Sequence, residues 1–284
     1  MPGAWSWLSL YCASESRARA EGDTVRETTP GVELIARPAL DLEALERYLK
    51  QVGGESWLAM RRDQGDEINP GQLLIEAAGR ACYRSWEEGL NANVTRIRRD
   101  QEQYFLNLLR SGHGSVLEHA NYSFILYDIS RIFTHELVRH RAGSAFSQES
   151  LRFVRLTEIP FRIPEVMESL RPQIVSILET LEEFQISAAE HFELDKEGKS
   201  FHTKKEITSA LRRLAPEGVT TVILWTANVR TLRHTIAART DPGAEEELRF
   251  VFNKIGEIML AEAPLLFGDF VVEDGAWRTE YHKV

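Results

Sequence analysis

The hydrophobic period changes within ANYSFILYDISRIFTHELVRHRAG, and no other feature restricts the fold as much. In ANYSFILYDI polar and apolar residues alternate, placing Tyr122, Phe124 and Leu126 on one face of a half-buried strand. SRIFTHELVRHRAG follows at helical spacing, and we expect its helix to stop near Gly143. The same interleaving runs along the chain. VELIARPAL (Val32 to Leu40) reads as a strand ending at Pro38, before a helix from DLEALERYLK. RRDQGDEINPG reads as a loop, and QLLIEAAGRACYRSW and RIRRDQEQYFLNLLRSG read as helices, the second closed by Gly112. LRFVRL has a strand pattern again. Beyond Pro164 the spacing becomes mostly helical, in PQIVSILETLEEFQISAAEHF and KEITSALRRLAP. VTTVILWTANVRTLRHTIAART begins β-branched and ends helical. In AEEELRFVFNKIGEIMLAEAP, Leu248, Val251, Phe252, Ile255, Ile258 and Met259 form one apolar stripe, which we read as core. Interleaved strands and helices predict a single α+β domain over residues 31–284, with a helical subregion. Residues 1–30 lack periodicity and read as a flexible extension.

Charge sets the next limit. The 284 residues carry a formal net charge of −9, which opposes a surface devoted to nucleic acid. Cys12 and Cys82 stand far apart without a CxxC pair, so we expect no disulfide framework and a reducing, cytoplasmic setting. No Lys or Arg precedes the short apolar run near the N-terminus, so it is not read as a secretory signal. No apolar stretch reaches the roughly 20 residues of a membrane span.

Against that acidic background RHRAGSAFSQESLRF stands out. It places Arg139, His140, Arg141 and Arg152 among Ser144, Ser147, Gln148 and Ser150. Cations at a helix end would explain the first three, at about 0.3–1 kcal/mol each. They do not explain Arg152, which the pattern puts on a strand. SAFSQES reads as an irregular loop whose hydroxyls, amide and backbone N–H groups suit phosphate and base edges. A second cluster, Asn228, Arg230, Arg233, His234 and Arg239, lies in TANVRTLRHTIAART, with Arg230 and His234 four residues apart on one face. Two such clusters point to phosphorylated small molecules. Other motifs fail on spacing. HELVRH has Arg139 where the second zinc histidine of HExxH belongs, so we expect no metal. SGHGSVLE lacks the third glycine of a dinucleotide fingerprint, and no G-x-S-x-G elbow occurs.

On these residues the chain resembles the flavin-dependent thymidylate synthases. Their signature is RHR, a spacer, then Ser, commonly with Arg two residues on. Here it reads Arg139-His140-Arg141, AGSAFSQE, Ser150 and Arg152. GHGSVLEHANYSF resembles the family's flavin-contacting segment. THELVRHR matches the preceding helix, with Glu136 where many members carry Gln. LRRLAP and TANVRTLRHTIAAR match further segments, so the similarity runs over roughly Pro70 to Phe270.

The resemblance implies an antiparallel sheet flanked by helices. It implies transfer of a carbon from methylenetetrahydrofolate to C5 of dUMP, with FAD reduced by NADPH, in a homotetramer with FAD at subunit interfaces. Ser115, Arg139, His140, Arg141, Gln148, Asn228, Arg230 and His234 would contact FAD. Glu136, Arg139, Gln148, Glu149, Ser150, Arg152, Arg212 and Arg239 would line the nucleotide pocket. Arg239 would favour the N3-deprotonated uracil, a role suited to a guanidinium that stays protonated. Ser150 would act near the reacting base as a hydrogen-bonding group, since arginines rather than a base surround it. His113 stands either as a structural histidine or as a catalytic group near flavin or folate. Cys82, expected on a core-facing helix, is no candidate nucleophile. Three rivals remain: the same chemistry on UMP, a folded but inactive member of the family, and a non-enzymatic phosphate clamp for nucleotides or nucleic acid.

Overall fold

A computed structural model describes residues 25–63 and 69–284. In chain order the elements are strand β1 (Gly31–Ala36) and helices α1 (Leu42–Val52), α2 (Glu55–Asp63), α3 (Pro70–Tyr83) and α4 (Gln101–Arg110). Strand β2 (Asn121–Ser130), helix α5 (Arg131–Leu137) and strand β3 (Ser144–Gln148) follow, then helices α6 (Arg171–His191) and α7 (Phe201–Leu211). Strand β4 (Thr220–Asn228) leads into helices α8 (Val229–Arg239), α9 (Glu246–Glu262) and α10 (Pro264–Phe267). A hairpin of β5 (Val271–Glu273) and β6 (Ala276–Arg278) closes the series. Among the described residues no helix is long and apolar enough to cross a membrane.

The α+β class holds, and the chain groups into two compact units. The larger comprises Thr29–Glu149 and Thr221–Val284. Its sheet has the order β1-β2-β4-β3, with β1–β2 and β3–β4 antiparallel. Val32 pairs with Leu126 and Phe146 with Trp225. The alternation read in β2 is the one that is buried: Tyr122, Phe124 and Leu126 have no exposed surface. They join Ile223, Trp225 and Ala227 of β4 and the α9 stripe Leu248, Val251, Phe252, Ile255 and Met259 in one core. Each large apolar side chain so buried contributes about 1.5–3 kcal/mol relative to exposure. A second cluster gathers Leu49, Trp57, Leu58, Leu73, Ala77 and Trp86. Beside it the buried Glu76 accepts from Trp57 Nε1 at 2.9 Å, Arg61 Nε at 2.9 Å and Arg80 Nε at 2.8 Å.

The smaller unit comprises Ser150–Thr220 with the described residues before Thr29. It holds α6 and α7, the helical subregion, around Leu151, Leu156, Ile159, Leu178 and Val219. Residues 1–24 of the expected extension lie outside the described residues, as does Cys12. Val25 joins this core, and Thr28 N–H donates to the Phe161 carbonyl at 3.1 Å.

Five local expectations are corrected. The segment expected as a loop from Arg61 begins inside α2, because Arg61 is buried on Glu76 while looking like a surface charge. SAFSQ is not irregular: it forms β3, at one edge of the sheet order, where a strand needs no apolar alternation. The helix expected to reach Gly143 ends at Leu137. Its continuation is captured from outside: Thr231 Oγ1 donates to the Ala142 carbonyl at 2.6 Å, and Asn228 N–H to that of Gly143 at 3.1 Å. LRFVRL is a turn, with Leu151 and Leu156 buried while Phe153 and Val154 are exposed. Cys82 is exposed, because the inward face of α3 is Leu73, Ile75, Glu76 and Arg80.

Candidate active site

The junction of β4 and α8 organises the larger unit's polar cluster. Asn228 caps α8, its side chain accepting from Thr231 N–H at 2.9 Å. Val229 N–H donates to the Ala120 carbonyl at 3.0 Å, which ties the GHGSVLEHA segment to the same helix end. The RHRAG turn docks there through Ala142 and Gly143, as given above. Gly143 has φ +66°, and a Cβ at that position would lie 2.2 Å from Asn228 Nδ2. Only glycine fits both the backbone and the space.

Three contacts then assemble residues far apart in sequence. Arg239, at the end of α8, donates from Nε to His140 Nε2 at 2.8 Å. Its Nη1 lies 2.7 Å from Glu136 Oε2. The His140 and His234 rings meet edge to face, 5.7 Å between centroids. Accepting from an arginine requires a neutral imidazole with its proton on Nδ1. The surroundings enforce that state: burial, then the Arg239 and His234 charges, hold the His140 pKa down to about 4. Nε2 is therefore spent as an acceptor, which leaves Nδ1–H as a donor.

Arg230 crosses Gly114 so closely that a Cβ there would lie 2.7 Å from its Nε. Its Nη1 pairs with Glu118 at 2.7 Å. Ser115 is exposed on the short 3₁₀ turn Gly114–Glu118. His113 stacks on Tyr83 at 5.5 Å, with Nε2 3.2 Å from the phenol oxygen. Gln148 donates to Thr134 Oγ1 at 3.1 Å. Partial desolvation raises the Glu149 carboxyl against the opposing pull of Arg131, although the residue keeps exposed surface. Arg139 and Arg141 have no acidic partner among the described residues.

The remaining expected nucleotide residues lie in the smaller unit. Ser150 Oγ accepts from Arg152 N–H at 3.3 Å, and Arg152 Nε donates to Ser209 Oγ at 3.2 Å. Arg212 begins a 3₁₀ turn after α7. It lines a cavity of about 10 Å³ with Leu151, Gln185 and Leu211, space for about one water and not for a nucleotide.

One member of the second arginine cluster is excluded. Arg233 is buried, with Nη1 and Nη2 on Asp269 at 2.6 and 2.8 Å and a further bond to the Leu266 carbonyl. Its charge is spent inside the fold. Glu118, Tyr83 and Thr231 were missed by sequence reasoning. Glu118 lies inside the GHGSVLEH motif, whereas nothing in the sequence marks Tyr83 as the partner of His113.

Comparison with known proteins bears on this arrangement. Residues 66–265 match the family model described as thymidylate synthase complementing protein. A flavin-dependent thymidylate synthase of Mycobacteroides abscessus is 34% identical over 226 residues, covering 77% of this chain and 87% of that protein. One of Corynebacterium efficiens is 34% identical over 216 residues, covering 74% and 83%. In fold the chain is similar to the UMP/dUMP methylase PolB from Streptomyces cacaoi, crystallised with 5-Br UMP. Its TM-score is 0.56 at 17% identity, over 86% of this chain and 95% of that one.

Proposed function

The chain belongs to the thymidylate synthase complementing protein family, and on that premise we propose that it is an FAD-dependent enzyme methylating dUMP at C5. The carbon comes from methylenetetrahydrofolate and the reducing equivalents from NADPH, in a homotetramer. The observation that carries this reading is Arg239 held between His140 and Glu136. It joins the RHR segment to a distant arginine of the kind this chemistry needs.

The donor set fits a flavin dinucleotide. Arg139 and Arg141 are exposed guanidiniums with no acidic partner among the described residues, suited to a pyrophosphate. Ser115, Gln148, Arg230 and His234 supply further polar contacts. Asn228 is buried and already caps α8, so it serves by holding the RHRAG turn in place. FAD, when bound, supplies the hydride chemistry.

Arg239 stabilises negative charge developing on the uracil ring while itself remaining protonated. His140, neutral, fixes the Arg239 side chain at Nε and keeps Nδ1–H as a donor. Arg139 and Glu149 bind the nucleotide's phosphate and base edges. Ser150 is not assigned as a nucleophile: its Oγ accepts from the Arg152 N–H at 3.3 Å, and its near neighbour is an arginine rather than a base. Incubation with FAD, NADPH, methylenetetrahydrofolate and dUMP, read by mass spectrometry, should yield dTMP. No added methyl mass on dUMP would overturn the assignment, and product from UMP alone would reassign the substrate.

A further inference from the structure

Three arginines of this cluster differ in how their charge is matched. Arg139 and Arg141 have no acidic partner among the described residues. Arg239, the one assigned to the uracil, has a carboxylate 2.7 Å away. Both members of that pair are largely enclosed, at 19% and 29% exposed. Of the five guanidinium N–H groups, one goes to His140 and one to Glu136.

A carboxylate so placed does two things. As an acceptor it orients the guanidinium, a task a neutral amide also performs. As an anion it offsets part of the attraction that the guanidinium exerts on a nearby anionic group. The second effect opposes binding of an anionic nucleotide. The carboxylate is also well anchored. Glu136 lies in the last turn of α5, whose start is pinned by the buried Glu247 accepting from Ser130 N–H at 2.8 Å and from its hydroxyl.

We propose that Glu136 is a countercharge latch on Arg239, orienting the guanidinium while weakening its attraction for the nucleotide. The proposal rests on the reading of Arg239 as the uracil-facing residue. Glu136 acts through Arg239 and is therefore a positioning residue.

Titration of dUMP into FAD-loaded wild type, E136Q and E136A at several salt concentrations tests it. Glutamine keeps the acceptor and removes the charge, so E136Q should bind dUMP about three- to tenfold more tightly. Its affinity should also fall more steeply with salt than that of wild type, a change that a purely structural role does not produce. E136A loses the acceptor as well, and should bind at least about threefold more weakly than E136Q, with thermal melts confirming that all three proteins fold. If E136Q binds no more tightly than wild type, the latch is wrong. If E136A matches E136Q, the orienting role is wrong. A wild type that binds no dUMP removes the nucleotide reading together with the latch.

Discussion

Arg239 Nε and His140 Nε2 lie 2.8 Å apart although the residues are separated by 99 positions. The bond commits the imidazole to its neutral form, and burial with two neighbouring cationic or ionisable groups sets its pKa at about 4. The RHR motif is therefore two guanidiniums around a neutral donor rather than three positive charges.

That has a consequence for pH. The His140 pKa is lower in the folded chain than the ordinary 6.5, so the unfolded state binds the extra proton first. The stabilisation is complete above about pH 6.5 and is lost as pH falls toward 4. His140 is about half buried, so solvent screening reduces the effect to about 1–2 kcal/mol. H140Q keeps an acceptor for Arg239 without titrating. Its thermal midpoint should fall less than that of wild type between pH 6.5 and 4.5, and parallel curves would refute the assignment.

Gly143→Ala places a Cβ in the left-handed region and against Asn228. Urea unfolding should report a loss of about 2–3 kcal/mol, together with weaker retention of added FAD. A variant of unchanged stability would mean that the RHRAG turn is not fixed by the cap of α8.

Glu76 is the most deeply enclosed carboxylate of the ion-pair clusters. Burial alone would raise its pKa, yet its bonds with Arg61 and the charge of Arg80 bring it below the usual range. Removing it leaves two buried guanidiniums facing each other. E76A should cost about 3–5 kcal/mol in denaturant unfolding. A loss below about 1 kcal/mol would show that Arg61 and Arg80 find other partners.

These relationships were unequally legible in the sequence. Tyr122, Phe124 and Leu126, and the Leu248 to Met259 stripe, were readable because one buried face imposes its period on the residues. β3 was not, since an edge strand such as SAFSQ carries polar and apolar residues without a period. Arg61 and Arg233 look like surface or ligand-binding charges, and only the fold supplies Glu76 and Asp269 to neutralise them, whereas Arg80 lies four residues after Glu76 on α3, a pair that helical spacing does show. The RHR helix reads too long in the sequence because its end is decided by Asn228 and Thr231, which lie some 90 residues away. The contact of Arg239 with Glu136 was equally invisible, because no local spacing relates them.

The FAD-dependent methylation of dUMP is tested most directly by the visible spectrum of the FAD-loaded protein during anaerobic NADPH addition, with dUMP, with UMP and with neither. A bound-flavin spectrum that bleaches fastest with dUMP is expected. Failure to bind FAD, or bleaching indifferent to either nucleotide, would contradict it.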